Sequence, residues 1–435
     1  MERVESVFSS ISDKYPTYRD TLLKVPFRWL DGKRIDDNAE GLWRVHDKLY
    51  DLTDFIERHP GGKDWLEITK GTDITEAFET HHINGKAEGI LKKFYIRDAS
   101  EKRNYKFTYK DDAFFRTLKR RVADLLPELD NKPKKISEII SDLNLSLVFI
   151  TSILACKDNN IYLALLAGFF LNAQLVIAHN FFHRKDNWRM FCFNLSLFTA
   201  REWRISHVMS HHLYTNTYYD LEITLFEPYL QWIPRPKTLT QKIISCLLSP
   251  VVWICIPLFT FGYRTIGYFV KAVEFKLEDL IPYILPIAMY YFGQNDFFIV
   301  IKLWSISIAS CGFFLGLIGL NAGHHHPNIA HEGDELPNGM DFGVFQMNAI
   351  IDRKDVKSSH IVALTTFGHH TLHHLFPTLD HGLLPKLHDT LLETCKEFEL
   401  ELREYPWWPL ITGQFAQLIR DKPKSLKEMQ LNHTL

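Results

Sequence analysis

Four histidine groups carry the most distinctive chemistry in this 435-residue chain. They are His179-Asn180-Phe181-Phe182-His183, His207-Val208-Met209-Ser210-His211-His212, Asn321-Ala322-Gly323-His324-His325-His326 and His370-Thr371-Leu372-His373-His374. Their imidazoles recur at i, i+4, at i, i+3, i+4, or at i, i+4, i+5, and on a helix such offsets share a face. Taken alone, the last box could be a solvated surface turn, as His-rich tracts can be. If the boxes converge, they offer eight or nine nitrogens with few carboxylates, too many for one ion and suited to two. Imidazole serves iron, zinc, copper or nickel, so ligand softness leaves the metal open.

A second motif lies nearer the N-terminus. His59-Pro60-Gly61-Gly62 follows a short apolar stretch with aromatic anchors at 45–55 and precedes Asp73-Ile74-Thr75-Glu76-Ala77-Phe78-Glu79-Thr80-His81-His82. On these residues the segment 22–98 resembles the cytochrome b5 haem domain. The resemblance implies haem b held axially by His59 and His82, with His81 the competing candidate for the second ligand. Pro60, Gly61 and Gly62 suit a tight turn that presents the His59 ring. A haem with both axial positions filled carries electrons and binds no substrate. Such a donor is of no use to a hydrolytic zinc centre, whereas two irons can take up electrons, reduce dioxygen and attack an unactivated C–H bond. Iron is therefore the expected metal.

The boxes H-x-x-x-H, H-x-x-x-H-H and H-x-x-H-H resemble those of the membrane fatty acid desaturase and hydroxylase family. Together with the haem domain, residues 22 to about 390 are similar to a cytochrome b5-fused desaturase. The resemblance implies iron ligands at His179, His183, His207, His211, His212, His370, His373 and His374. A further N-x-x-x-H pattern fits Asn321, acting through water, and His325, with His324 and His326 competing. Many fused front-end desaturases begin the third box with Gln where His370 stands here, and the first box has three rather than four intervening residues, so the regiochemistry stays open. His46, His331, His360, His381 and His388 read as surface or supporting groups. Asp220, Glu222 and Asp380 are candidate partners for the second nitrogens of bound imidazoles.

The activity implied is desaturation of a fatty acyl chain, acyl-CoA or lipid-linked, with O2, a di-iron centre (two Fe ions) and electrons from the chain's own haem domain. NADH-cytochrome b5 reductase is the expected electron donor, and a narrow apolar tunnel the expected acyl site. Two alternatives stand: a fatty acyl or sphingolipid hydroxylase, and a non-catalytic haem electron-transfer membrane protein.

The elements that must position these groups are read from hydropathy. Apolar runs at 143–156, 161–178, 243–261, 280–292 and 297–320 stand in a chain whose mean hydropathy is slightly negative. A crossing needs about 20 apolar residues. The first two runs, joined by Lys157-Asp158-Asn159-Asn160, form a hairpin. Boxes on one membrane face require an even number of crossings between residues 212 and 324, yet three runs lie there. The run 280–292, short and carrying Pro282 and Pro286, is the one predicted not to span. Arg184, Lys185, Arg189, Arg201 and Arg204 place the histidine face in the cytosol.

The expected fold is thus mainly α: a tail at 1–21, a small α+β haem domain at 22–98, a charged linker at 99–140, a four-transmembrane-helix domain at 141–390 with a cytosolic cap, and a tail at 391–435. Within the linker, an amphipathic helix near 113–126 is expected at the membrane surface or simply solvated. The expected location is the endoplasmic reticulum membrane, with the haem domain, the boxes and both termini cytosolic. The first 20 residues show no apolar run of the signal-peptide kind. Six scattered cysteines without a C-x-x-C read as reduced, buried thiols. Net charge of -2, from 50 basic and 52 acidic residues, gives no case for a nucleic-acid partner.

Overall fold

The computed structural model describes residues 9–21, 24–319, 323–337, 339–356 and 359–431. It is mostly helical. After helix α1 (Pro26–Asp36), a small α+β unit is built on three antiparallel strands, β1 (Trp43–Val45), β2 (Lys48–Tyr50) and β3 (Tyr95–Asp98), in that order across the sheet. Helices α2 (Lys63–Thr69), α3 (Thr75–His81) and α4 (Lys86–Leu91) complete it. Its own core joins Trp43, Val45, Leu52, Leu66, Ile74 and Phe78. The Trp43 indole N–H donates to the Leu66 carbonyl at 3.1 Å, which ties the sheet to α2.

The segment expected as a linker is packed against the protein at several points. Arg103 is buried and pairs with Asp73 at 2.6 Å, and Lys119 pairs with Glu79 at 2.9 Å. Helix α5 (Phe114–Leu125) buries Phe114, Phe115, Leu118 and Val122 along one face. Phe115 meets Phe342 and Phe376, and Phe114 meets Phe398. This apolar face is therefore filled by the protein's own aromatic residues, and neither lipid nor solvent covers it.

Among the described residues, four helices are long and apolar enough to cross a membrane: α6 (Lys132–Lys157), α7 (Ile161–Phe182), α8 (Leu239–Phe269) and, following α9 (Ile284–Phe292), α10 (Phe297–Ile318). Asn160 caps α7 by accepting from the N–H groups of Tyr162 and Leu163, and Asp296 caps α10 in the same way. These two caps lie at the end of the bundle away from the histidines, where Lys302 donates to Asn159 at 2.7 Å.

Both ends of α8, in contrast, are tied to the histidine end. Near its start Lys242 pairs with Asp421, at 2.6 Å, in the C-terminal segment. Near its finish Arg264 pairs with Glu202 at 3.0 Å and donates to the Leu197 carbonyl at 3.0 Å. The 3-10 turn Leu277–Tyr283 with α9 makes the opposite connection. Asn194 donates to the Glu278 carbonyl near the histidines, whereas Gly293 lies against Ile153 and Cys156 at the far end. The run predicted not to span packs along the bundle from the histidine end to the far end, whereas α8, itself long and apolar enough to cross, has both ends tied to the histidine end. Pro282 and Pro286 do not prevent this, because they fall in the 3-10 turn and in the first turn of α9, where a missing N–H breaks little. Helix α8 carries Pro250 and Pro257 in its interior. Its outer row leaves Leu247 71% and Phe269 85% exposed.

The Arg264–Glu202 pair is fully buried, so removing one member strands a charge. Arg264→Ala is expected to cost about 3–5 kcal/mol in denaturant unfolding of the purified protein, and the double variant Arg264→Met/Glu202→Leu much less.

Candidate metal centre

The histidine boxes form two adjoining clusters. His179, His183, His207, His212 and His373 bring one ring nitrogen each within 4.8 Å of all the others, and His211, His324, His370 and His374 do the same beside them. In the first cluster the Nε2 of His179 lies 2.9 Å from those of His183 and His207 and 3.1 Å from that of His373. Ligands about 2.0–2.1 Å from one ion at right angles stand about 3 Å apart, so this spacing fits a shared metal. In the second cluster His324 and His370 approach to 2.5 Å between Nε2 atoms. The His212 and His374 rings stack across the junction at 4.0 Å.

Local structure explains the sorting. His179, in the last turn of α7, and His183, which caps its C-terminus, serve one cluster. The second box lies on a π-helix, Arg204–His211, whose wider turn lets His207 and His212 point to one cluster and His211 to the other. The third box opens the short helix α12 (His370–Leu375), following α11 (Phe342–Ala349), and is likewise divided: His373 joins the first cluster, His370 and His374 the second.

The rings are held from behind. Glu222 and Asp220 lie 2.9 Å from the Nδ1 atoms of His207 and His211. Gln346 lies 3.2 Å from Nδ1 of His374, and its own amide donates to the His212 carbonyl. His324 directs Nδ1 to the Ala349 carbonyl. Each such contact turns Nε2 inward. Burial holds His207 below the usual imidazole range against the pull of Glu222. For His211 the carboxylates of Asp220 and Glu222 outweigh burial and raise the pKa. Asp380 stands one layer out, accepting from Asn180, Arg184 and Ser137. Asn180 in turn meets His381 at 3.0 Å. His46 pairs with Glu79, and His360 with Ser137.

The triplet 324–326 splits three ways. His324 enters the second cluster, whereas His325, expected in that place, stacks on Trp232 at 4.2 Å, and His326 accepts from the Asn328 N–H. The preceding Gly323 has φ +117, and a Cβ there would lie 2.0 Å from the Ile351 carbonyl oxygen. That turn sets which ring faces inward. Asn321 lies outside the described residues. Neither Gln346, a lone amide on α11, nor the inward turn of His324 carries a spacing signal in the sequence.

Beside the clusters runs a narrow, mostly apolar cavity of about 120 Å³, whose wall includes His207, His211, His324, Trp203, Phe226 and Ile256. Its size is that of a slot, well below pockets that take ring systems.

The α+β unit holds a second cavity, of about 560 Å³, between His59 and His82, whose ring centroids are 6.2 Å apart. Both rings donate from Nδ1, His59 to the Gly62 carbonyl at 2.8 Å and His82 to that of Phe78 at 3.0 Å, which leaves both Nε2 atoms for the cavity. The donor set and the Leu52, Phe55 and Phe78 walls suit a haem. His81 instead packs against Trp65, its pKa pushed down by burial to about 3. His183, Arg184, Lys185 and Met209 close one side of this cavity, so it abuts the first histidine cluster. His82→Ala is expected to abolish haem retention, read from the absorption spectrum of the purified protein, while His81→Ala keeps it.

Comparison with known proteins agrees with this arrangement. Residues 160–406 match the fatty acid desaturase family, and residues 32–100 the cytochrome b5-like heme/steroid binding domain. The chain is 43% identical to the cytochrome b5-related protein of Drosophila melanogaster over 420 residues, covering 95% of this chain and 96% of that one. It is 26% identical to the Delta(5) fatty acid desaturase A of Dictyostelium discoideum, covering 82% and 85%, and 25% identical to an acyl-lipid (8-3)-desaturase of Mortierella alpina, covering 86% and 92%. No solved structure matches the chain. With a haem-binding domain at one end and the histidine boxes at the other, the chain belongs to the fatty acid desaturase family, as a member fused to a cytochrome b5-like domain.

Proposed function

We propose that the protein is a membrane-bound fatty acyl desaturase that inserts a double bond using O2, two irons and electrons received through its own haem. The observation that carries this reading is the slot: an apolar cavity lined by His207, His211, His324 and His370, with the haem cleft reaching His183 of the first cluster. Bound in these places, iron supplies dioxygen activation and haem supplies single electrons.

The chain's own residues do the rest. His179, His183, His207, His212 and His373 are the proposed ligands of one iron, and His211, His324, His370 and His374 of the other. His325, stacked on Trp232, is not in this set. Glu222, Asp220 and Gln346 keep the rings in the tautomer that presents Nε2. His59 and His82 are the proposed axial pair of the haem. The slot holds one extended acyl chain and keeps water from it, with Trp203 and Phe226 in its wall. NADH-cytochrome b5 reductase is the proposed electron source.

We place the enzyme in the endoplasmic reticulum membrane, with the histidine end and the haem domain in the cytosol. The proposed crossings are α6, α7, the Leu277–Phe292 stretch and α10. Helix α8 lies in the plane of the membrane, its exposed row toward lipid and its inner face against the slot. The parity of two crossings between the second and third groups of boxes is kept.

Three outcomes are expected. Purified protein contains two non-haem irons per chain. In cells, wild type adds an unsaturated fatty acid to the lipid profile and His374→Ala does not; a hydroxylated product in its place would favour the hydroxylase alternative. A glycosylation acceptor inserted at Gln294 is modified, whereas one inserted at Ala272 is not, and modification at both would refute the in-plane α8.

A further inference from the structure

The strap 9–21 that precedes the haem domain is fastened to the desaturase half. Tyr18 donates its hydroxyl hydrogen to the Tyr218 carbonyl at 2.6 Å. Lys24 follows in the wall of the slot, and Arg19 and Arg235, the latter on the loop that leads into α8, stand beside it. All three converge on one carboxylate, Glu227: Arg19 at 2.7 Å, Arg235 at 2.8 Å and Lys24 at 3.9 Å. The cluster therefore keeps an excess of two positive charges. The Arg19 side chain is only 5% exposed and its guanidinium stacks over Tyr218 at 4.8 Å, yet its Nη1 is buried without a partner among the described residues. Lys24 is itself part of the slot wall, next to Phe226 and Tyr263. Burial and Arg19 depress its pKa, with Glu227 opposing, as for a cation short of negative charge.

We propose that Arg19, Lys24 and Arg235 bind the phosphate of the acyl carrier at the mouth of the slot. The inference rests on the desaturase reading and names what that reading leaves open. An apolar slot takes the hydrocarbon and leaves the anionic carrier outside, where cations must receive it. Arginine offers paired N–H donors that match phosphate, and lysine adds a mobile point charge. Two carriers share this chemistry, a coenzyme A thioester and a phospholipid.

The test uses the full chain loaded with haem and iron, with stearoyl-CoA and stearoyl lysophosphatidylcholine as probes in equilibrium binding. The double variant Lys24→Gln/Arg235→Gln should weaken binding of the carrier's probe by about tenfold or more at low salt. Glu227→Gln, which frees the cations, should tighten the same probe. Stearyl alcohol, which has no phosphate, should bind all forms alike. Loss confined to stearoyl-CoA supports a thioester carrier, and loss confined to the lysophospholipid a lipid carrier. Unchanged binding of both probes, or weaker binding by Glu227→Gln, would overturn the site. Haem absorbance and iron content show that each variant is folded. A wild type that binds its probe but forms no double bond would count against the desaturase reading and leave the phosphate site standing.

Discussion

Nε2 atoms of buried imidazoles, held 2.9–3.1 Å apart, are the constraint to which the rest of this structure answers. Five such atoms aimed at one another cannot all act as donors and acceptors. Charging them would set cations side by side out of water, at great cost. A metal cation at their centre removes both difficulties, because it takes the lone pair of every neutral ring. The same argument holds for the second cluster, where burial and the neighbouring imidazoles depress the pKa of His324 and His370.

Convergence of this kind has to be imposed from outside. The π-helix, the Gly323 turn and the contacts of Glu222, Asp220 and Gln346 each fix one ring. They lie on elements far apart in the chain, so the site exists only once α7, the π-helix, α11 and α12 are packed together. Asp380 belongs to the same scaffold, gathering Asn180, Arg184 and Ser137 around the outer side.

The two domains are joined as one body for a related reason. Arg103 pairs with Asp73 and Glu76, Lys119 with Glu79, and Lys33 donates to Tyr105 and Tyr214. Buried ion pairs add little net stability but penalise any other register strongly. They fix the haem cleft with His183 and Met209 in its wall, so that it adjoins the first histidine cluster.

Much of this was legible in order along the chain. The haem motif, the histidine boxes and the apolar runs are local patterns, because axial ligation, helical ligand spacing and membrane crossing are each set within a few turns of backbone. The mostly helical fold with its small α+β domain follows from them. What the sequence left open depends on packing. Which of His324, His325 and His326 faces inward is decided by one glycine turn against Ile351. How the boxes divide between two clusters is decided by the width of the π-helix. That α5 meets Phe342, Phe376 and Phe398, and that both ends of α8 meet the histidine end while the Leu277–Phe292 stretch packs along the bundle, were equally hidden. Hydropathy records how much apolar surface a segment has. Only the tertiary structure decides whether lipid or the protein's own side chains cover it.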